Sequence, residues 1–144
     1  MRIYLDVCCL NRPFDDQSQI RIKLESEAKL KIQEDVRDGK LQLVWSYILD
    51  YENSRNPFQE RSIQIDGWKS YAVLDVEENE ALLEQGKDLH RDGFSEMDAL
   101  HIACALIGGC EYFLTTDARI LKRKDRIGGI QIVDPIQFVK EHEP

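Results

Sequence analysis

Four acidic side chains stand out by their positions. Asp6 closes Ile3-Tyr4-Leu5 and precedes Val7-Cys8-Cys9-Leu10, and a carboxylate inside such an apolar run is costly to bury unless something compensates it. Glu52 follows Leu49 and Ile48 at i+3 and i+4, so on a helix it shares their inward face. Asp50 falls roughly 200° away, on the opposite and wet face. Asp98 belongs to Ser95-Glu96-Met97-Asp98, which reads as a capping box opening a helix. Asp117 ends Leu114-Thr115-Thr116-Asp117, where a strand gives way to a helix. Each has a plain structural alternative: a loop cap for Asp6, a solvated acid for Glu52, and helix caps for Asp98 and Asp117. Their conjunction says more. Carboxylates gathered in one crevice repel one another unless a cation neutralises them, and oxygen-only ligands suit Mg2+ or Mn2+ rather than zinc. Asp6, Glu52, Asp98 and Asp117 are therefore the expected metal ligands and catalytic residues.

The elements that must position these acids alternate short apolar runs with longer helical ones. Residues 2–5 read as a first strand, followed by a loop holding Pro13, Asp15 and Asp16. A polar helix then runs from about Ser18 to Asp38, stopped by Gly39. Leu41–Trp45 is a second strand, and Ser46 caps a helix to about Arg55, with Pro57 beyond it. Helices over Phe58–Lys69 and Asn79–Arg91 flank a weak strand at Ala72–Val76. Ser95 opens the clearest helix, in which Ala99, Ile102, Ala103 and Leu106 share one face, and Gly108-Gly109 end it. Tyr112–Thr115 is a strand, a short basic helix starts at Ala118, and Ile130–Val133 is the last strand. Asp134-Pro135 begin the closing helix. This alternation points to an α/β fold with a parallel, doubly wound sheet, in which ligands bind beyond the carboxyl ends of the strands.

Composition sets bounds on function. With 144 residues, 42% hydrophobic and 32% charged, the chain fits one soluble domain spanning 1–144. No stretch approaches a membrane span and the first strand leaves no room for a leader, so a cytoplasmic protein is expected. Cys8, Cys9, Cys104 and Cys110 form no C-x-x-C pair, and Cys104 near His101 lacks the second pair a zinc site needs; they read as reduced core residues. His90, His101 and His142 lack paired spacing and read as incidental. The net charge of −8 argues against a polyanionic partner, but two bound divalent cations would bring it to −4. Arg119, Lys122, Arg123, Lys124 and Arg126 also crowd a stretch with one acid, Asp125.

Asp6 after its strand, Ser46 followed by Glu52, Asp98 in Asp98-Ala99-Leu100-His101-Ile102-Ala103-Cys104-Ala105, and Thr115-Thr116-Asp117 together resemble the four acidic motifs of PIN-domain ribonucleases, in order and over nearly the whole chain. The resemblance implies a three-layer α/β/α sandwich with a central parallel sheet and metal-dependent cleavage of RNA. It also implies a VapC-like toxin with a small antitoxin partner, working as a homodimer. On this reading the acids hold one or two Mg2+ or Mn2+, which activate a water for attack on a phosphodiester phosphorus. Thr115 is expected to support Asp117, and Ser46 to serve as an N-cap. Where the family often carries Asn or Ser two residues after the first Asp, this chain has Cys8, with Asn11 and Asp15 as candidates for that polar contact. The alternative is a catalytically silent PIN-like module binding RNA or protein. A haloacid-dehalogenase-type phosphohydrolase would need a second Asp at the position of Cys8.

Overall fold

Ile3-Tyr4-Leu5, Leu43-Val44-Trp45 and Tyr112-Phe113-Leu114 are unbroken apolar runs, the pattern of parallel strands covered on both faces, and every one of these side chains is buried. In the computed structural model, which describes residues 1–142, they lie in the strands β1 (Arg2–Leu5), β2 (Gln42–Ser46) and β4 (Tyr112–Leu114). With β3 (Ala72–Val76) and β5 (Gln131–Val133) they form one parallel sheet in the order β3-β2-β1-β4-β5. β3 lies at an edge, and it leaves Val73 and Leu74 exposed.

Eight α-helices flank the sheet among the described residues: α1 (Val7–Asn11), α2 (Ile20–Arg37), α3 (Tyr47–Ser54), α4 (Gln59–Gly67), α5 (Glu80–Arg91), α6 (Glu96–Ile107), α7 (Ala118–Leu121) and α8 (Pro135–His142). Side chains alternate across a strand, and this sorts the helices. Tyr4 stacks on Phe113 (centroids 5.4 Å apart) and meets His101 of α6. Tyr112, one residue out of phase, meets Phe138 of α8. α6, with α5 against it, therefore covers one face, and α8, with α2, covers the other. The expected three-layer α/β/α sandwich is present. Gly39 ends α2 with φ 77° and the amide of Lys40 donating to the Asp35 carbonyl, a left-handed stop that suits glycine. At Gly108 a Cβ would lie 2.8 Å from Val44, so the end of α6 seats directly on β2.

Two segments depart from expectation. Residues 7–14, read as a loop, form α1 and a 3-10 turn at Arg12–Phe14. Asp6 makes this possible by accepting the Val7 amide at 2.8 Å as N-cap. The basic stretch is not one helix, since α7 stops at Leu121 and Lys124–Arg126 form a separate 3-10 turn. No helix among the described residues is long and apolar enough to cross a membrane.

Candidate active site

The strand order decides where the acids meet. The chain steps outward from β1 to β2 and β3, then returns to lay β4 on the other side of β1. The carboxyl ends of β1 and β4 thus diverge at a topological switch point, where open α/β sheets form their crevice. Asp6 leaves β1 there, its amide donating to the Leu114 carbonyl at 3.0 Å. Thr115 and Asp117 leave β4 beside it. Because β4 runs parallel to β1, the helix leading into it must run back along the sheet. The first turn of α6, with Asp98, therefore opens at the same end. α3 follows β2 and carries Glu52 to the rim.

Thr115 ties the first and last of these acids together. Its buried hydroxyl donates to Asp6 Oδ2 (2.8 Å) and accepts the Asp117 amide (3.1 Å). The expected support of Asp117 is present, and the hold on Asp6 is an addition. Cys8 itself fills the polar contact left open by the sequence, with Sγ 3.5 Å from Asp6 Oδ2, 3.4 Å from Thr115 Oγ1 and accepting the Thr116 amide at 3.3 Å. Neither Asn11 nor Asp15 takes that place. Asn11 donates to the Val7 carbonyl, and Asp15 pairs with Arg12 and Arg61.

His101, read as incidental, is instead part of the site. It is 1% exposed, its Nε2 meets Glu52 Oε1, and it lies 4.0 Å from Asp6 Oδ1. Its Nδ1 lies 2.6 Å from the Tyr4 hydroxyl, which lies 2.6 Å from Ser46 Oγ. One set of protons satisfies the chain: Ser46 donates to Tyr4, Tyr4 to Nδ1, and Nε2–H to Glu52. Burial pushes the Tyr4 phenol well above 10, so it stays neutral. Ser46 also accepts the Leu49 amide as the expected N-cap. The signal for His101 was available in its spacing, since a residue three after Asp98 lies on the same helix face. Asp50, expected on a wet face, keeps a partly exposed carboxylate that accepts the Trp45 indole N–H at 2.9 Å and pairs with Lys69.

Burial raises the Asp98 carboxyl above its usual range; a Ser95 hydrogen bond opposes this, and the charges of Asp6 and Asp117 add to it. Asp117 moves the other way. Arg119 donates to both of its carboxylate oxygens, and this hydrogen bonding holds its pKa below the ordinary value. The capping readings hold alongside the crevice positions, as Ser95 Oγ accepts the Asp98 amide and Asp117 caps α7. The four acids do not form a ready-made ligand cage. Among the described residues no group of three or more His, Cys, Asp or Glu side chains is placed to hold a metal ion; Glu52 is drawn to His101 and Asp117 to Arg119.

The fold and the site define a parallel α/β/α sandwich with an acidic crevice at the β1/β4 switch point. Among solved structures, the chain is similar to a chain in the crystal structure of VapBC2 from Rickettsia felis bound to a DNA fragment from its promoter. The TM-score is 0.59 at 14% identity, covering 93% of this chain and 98% of the other. It is likewise similar to a chain of VapBC-1 from nontypeable Haemophilus influenzae, with TM-score 0.58, 17% identity and coverage of 94% and 98%. No protein-family model and no curated protein matches the sequence.

Proposed function

We propose that the chain is a Mg2+- or Mn2+-dependent endoribonuclease, hydrolysing RNA phosphodiester bonds as the VapC-like half of a toxin–antitoxin pair. The observation that carries this reading is the strand switch that brings Asp6, Asp98 and Asp117 to one crevice, where burial first, and then the charges of Asp6 and Asp117, raise the Asp98 carboxyl. The donor chemistry fits a hard divalent cation: every candidate ligand is a carboxylate, and a cation would relieve their repulsion. Asp6, Glu52, Asp98 and Asp117 would hold it. When bound, such an ion supplies a more acidic water and stabilises charge at the phosphorus. The protein's own part is to keep the carboxylates in place. Thr115 and the Val7 amide fix the two oxygens of Asp6, and the Ser46–Tyr4–His101 chain anchors Glu52 to the core. The four unpaired thiols support a cytoplasmic setting. The antitoxin partner and the homodimer are parts of the same proposal.

A second reading, the catalytically silent module, draws on the lack of three converging ligands among the described residues. One experiment separates the two. Millimolar Mn2+ should raise the unfolding midpoint, because a ligand of the folded state alone stabilises it by mass action. The same Mn2+ should also start cleavage of RNA that EDTA stops. Asp98→Asn should lose both effects. An unmoved midpoint together with intact RNA would decide for the silent module.

A further inference from the structure

A groove of about 670 Å3 runs from Glu52 along α3 to the start of α4, lined by Tyr51, Arg55, Phe58 and Arg61 among others. Its two rings are the notable feature. Tyr51 and Phe58 are 46% and 54% exposed, and among the described residues Tyr71 is the one other aromatic with a large exposed side chain. Core packing does not account for them, and each is paired with a guanidinium. Arg61 lies 4.3 Å from the Phe58 centroid and Arg55 lies 5.5 Å from that of Tyr51. Arg61 is held in place by the Phe14 carbonyl (2.7 Å) and Asp15 (3.2 Å). Arg55 donates to the Tyr51 hydroxyl at 2.7 Å and makes no ion pair among the described residues, so its charge is open to an anion.

Nucleobases stack on aromatic rings and on guanidinium planes when they are unpaired, and arginine holds the phosphates between them. We propose that this groove binds a single-stranded RNA segment next to the bond to be cut, with bases on Tyr51 and on Phe58, whose ring Arg61 braces, and a phosphate on Arg55. The inference rests on the ribonuclease reading and adds to it where the strand lies and why it must be unpaired. It also answers the charge problem. A chain of net −8 meets RNA at a place where Arg55 and Arg61 line the path from Glu52 outward and the one other carboxylate, Asp15, is paired with Arg61 and Arg12. In the basic stretch near Asp117, Arg119 is less free to hold a phosphate, because it is bound to Asp117.

The test uses a labelled single-stranded oligoribonucleotide and the whole chain, with binding followed by anisotropy in EDTA and KM measured with Mn2+. Tyr51→Ala and Phe58→Ala should each weaken binding about tenfold, and Phe58→Trp should retain it. Arg55→Gln should weaken it and lower the salt slope by about one phosphate contact. An abasic strand or a duplex of equal length should bind the parent no better than the intact single strand binds the double alanine variant. Equal unfolding midpoints would show that these exposed positions leave the fold intact. If the double variant keeps the parent's affinity and KM, the groove is not the RNA path, while the ribonuclease reading stands. If the double variant keeps RNA affinity but loses a protein partner, the groove is a protein dock and the proposal is overturned. A parent that neither binds nor cleaves RNA overturns the ribonuclease reading and this inference together.

Discussion

Lys29→Met offers a quantitative check on the core. Lys29 lies on α2, is 2% exposed, and has its Nζ 5.6 Å from the Trp68 ring centroid. It makes no ion pair among the described residues, and burial lowers its amine from 10.5 to about 7. Below pH 7 the amine is protonated in both the folded and unfolded states, so the folded protein carries the full cost of burying the charge. Between about 7 and 10.5 the unfolded chain holds a proton that the folded one lacks, and stability rises by up to about 1.4 kcal/mol per pH unit. The whole shift corresponds to a ceiling of roughly 5 kcal/mol; relaxation around the ammonium and the contact with Trp68, about 1 kcal/mol, reduce it. Methionine keeps the apolar stem and loses the charge. The buried thiols of Cys9, Cys104 and Cys110, raised by burial, act with opposite sign: the unfolded chain loses those protons first, so stability falls as pH rises. For Cys104 and Cys110 that contribution is common to both proteins and cancels in their difference; the Lys29 charge lowers the Cys9 thiol, so the part of Cys9 cancels only in part. Urea unfolding at pH 6.5 should find the variant more stable by roughly 2–4 kcal/mol, with the advantage mostly gone by pH 9.5. A difference independent of pH would refute a desolvated amine at this position.

Two further variants probe the crevice. Thr115→Val keeps the shape but strips Asp6 of its hydroxyl donor and leaves the Asp117 amide without its acceptor, which should cost about 1–3 kcal/mol in urea unfolding; Thr115→Ser should restore most of it, and a loss under about 0.5 kcal/mol would contradict the assigned network. Asp98→Asn, measured in EDTA, should be more stable than the parent at neutral pH. The folded-state pKa of Asp98 is raised, so its ionisation costs stability above that pKa and costs nothing below about pH 4, the unfolded value. An advantage that persisted in strong acid would point to some cause other than the cost of burying the Asp98 charge beside Asp6 and Asp117.

The order of elements was legible in the chain because it depends on local patterns. Apolar runs mark the buried strands, and Ser46, Asn79, Ser95 and Asp134 each cap the helix that their position announces. The positions of the four acids in the fold were legible too, since each falls at a strand end, in the first turn of a helix or on an inward helix face. α1 was not, because five residues containing Cys8-Cys9 carry no helical period; it exists because Asp6 caps it and β4 anchors Asp6. The partners were also out of reach. That Tyr4 would meet His101 at a separation of 97 residues, and Thr115 meet Asp6 at 109, follows from β4 returning to the side of β1. Nothing local encodes which edge of a strand a later strand will take. Nor does the sequence place Arg61 over Phe58, or draw Glu52 to His101 and Asp117 to Arg119. Residue type and period determined which groups the chain carries and which way they face. Tertiary packing decided which of them touch, because contacts between distant segments depend on how the whole sheet is ordered and covered.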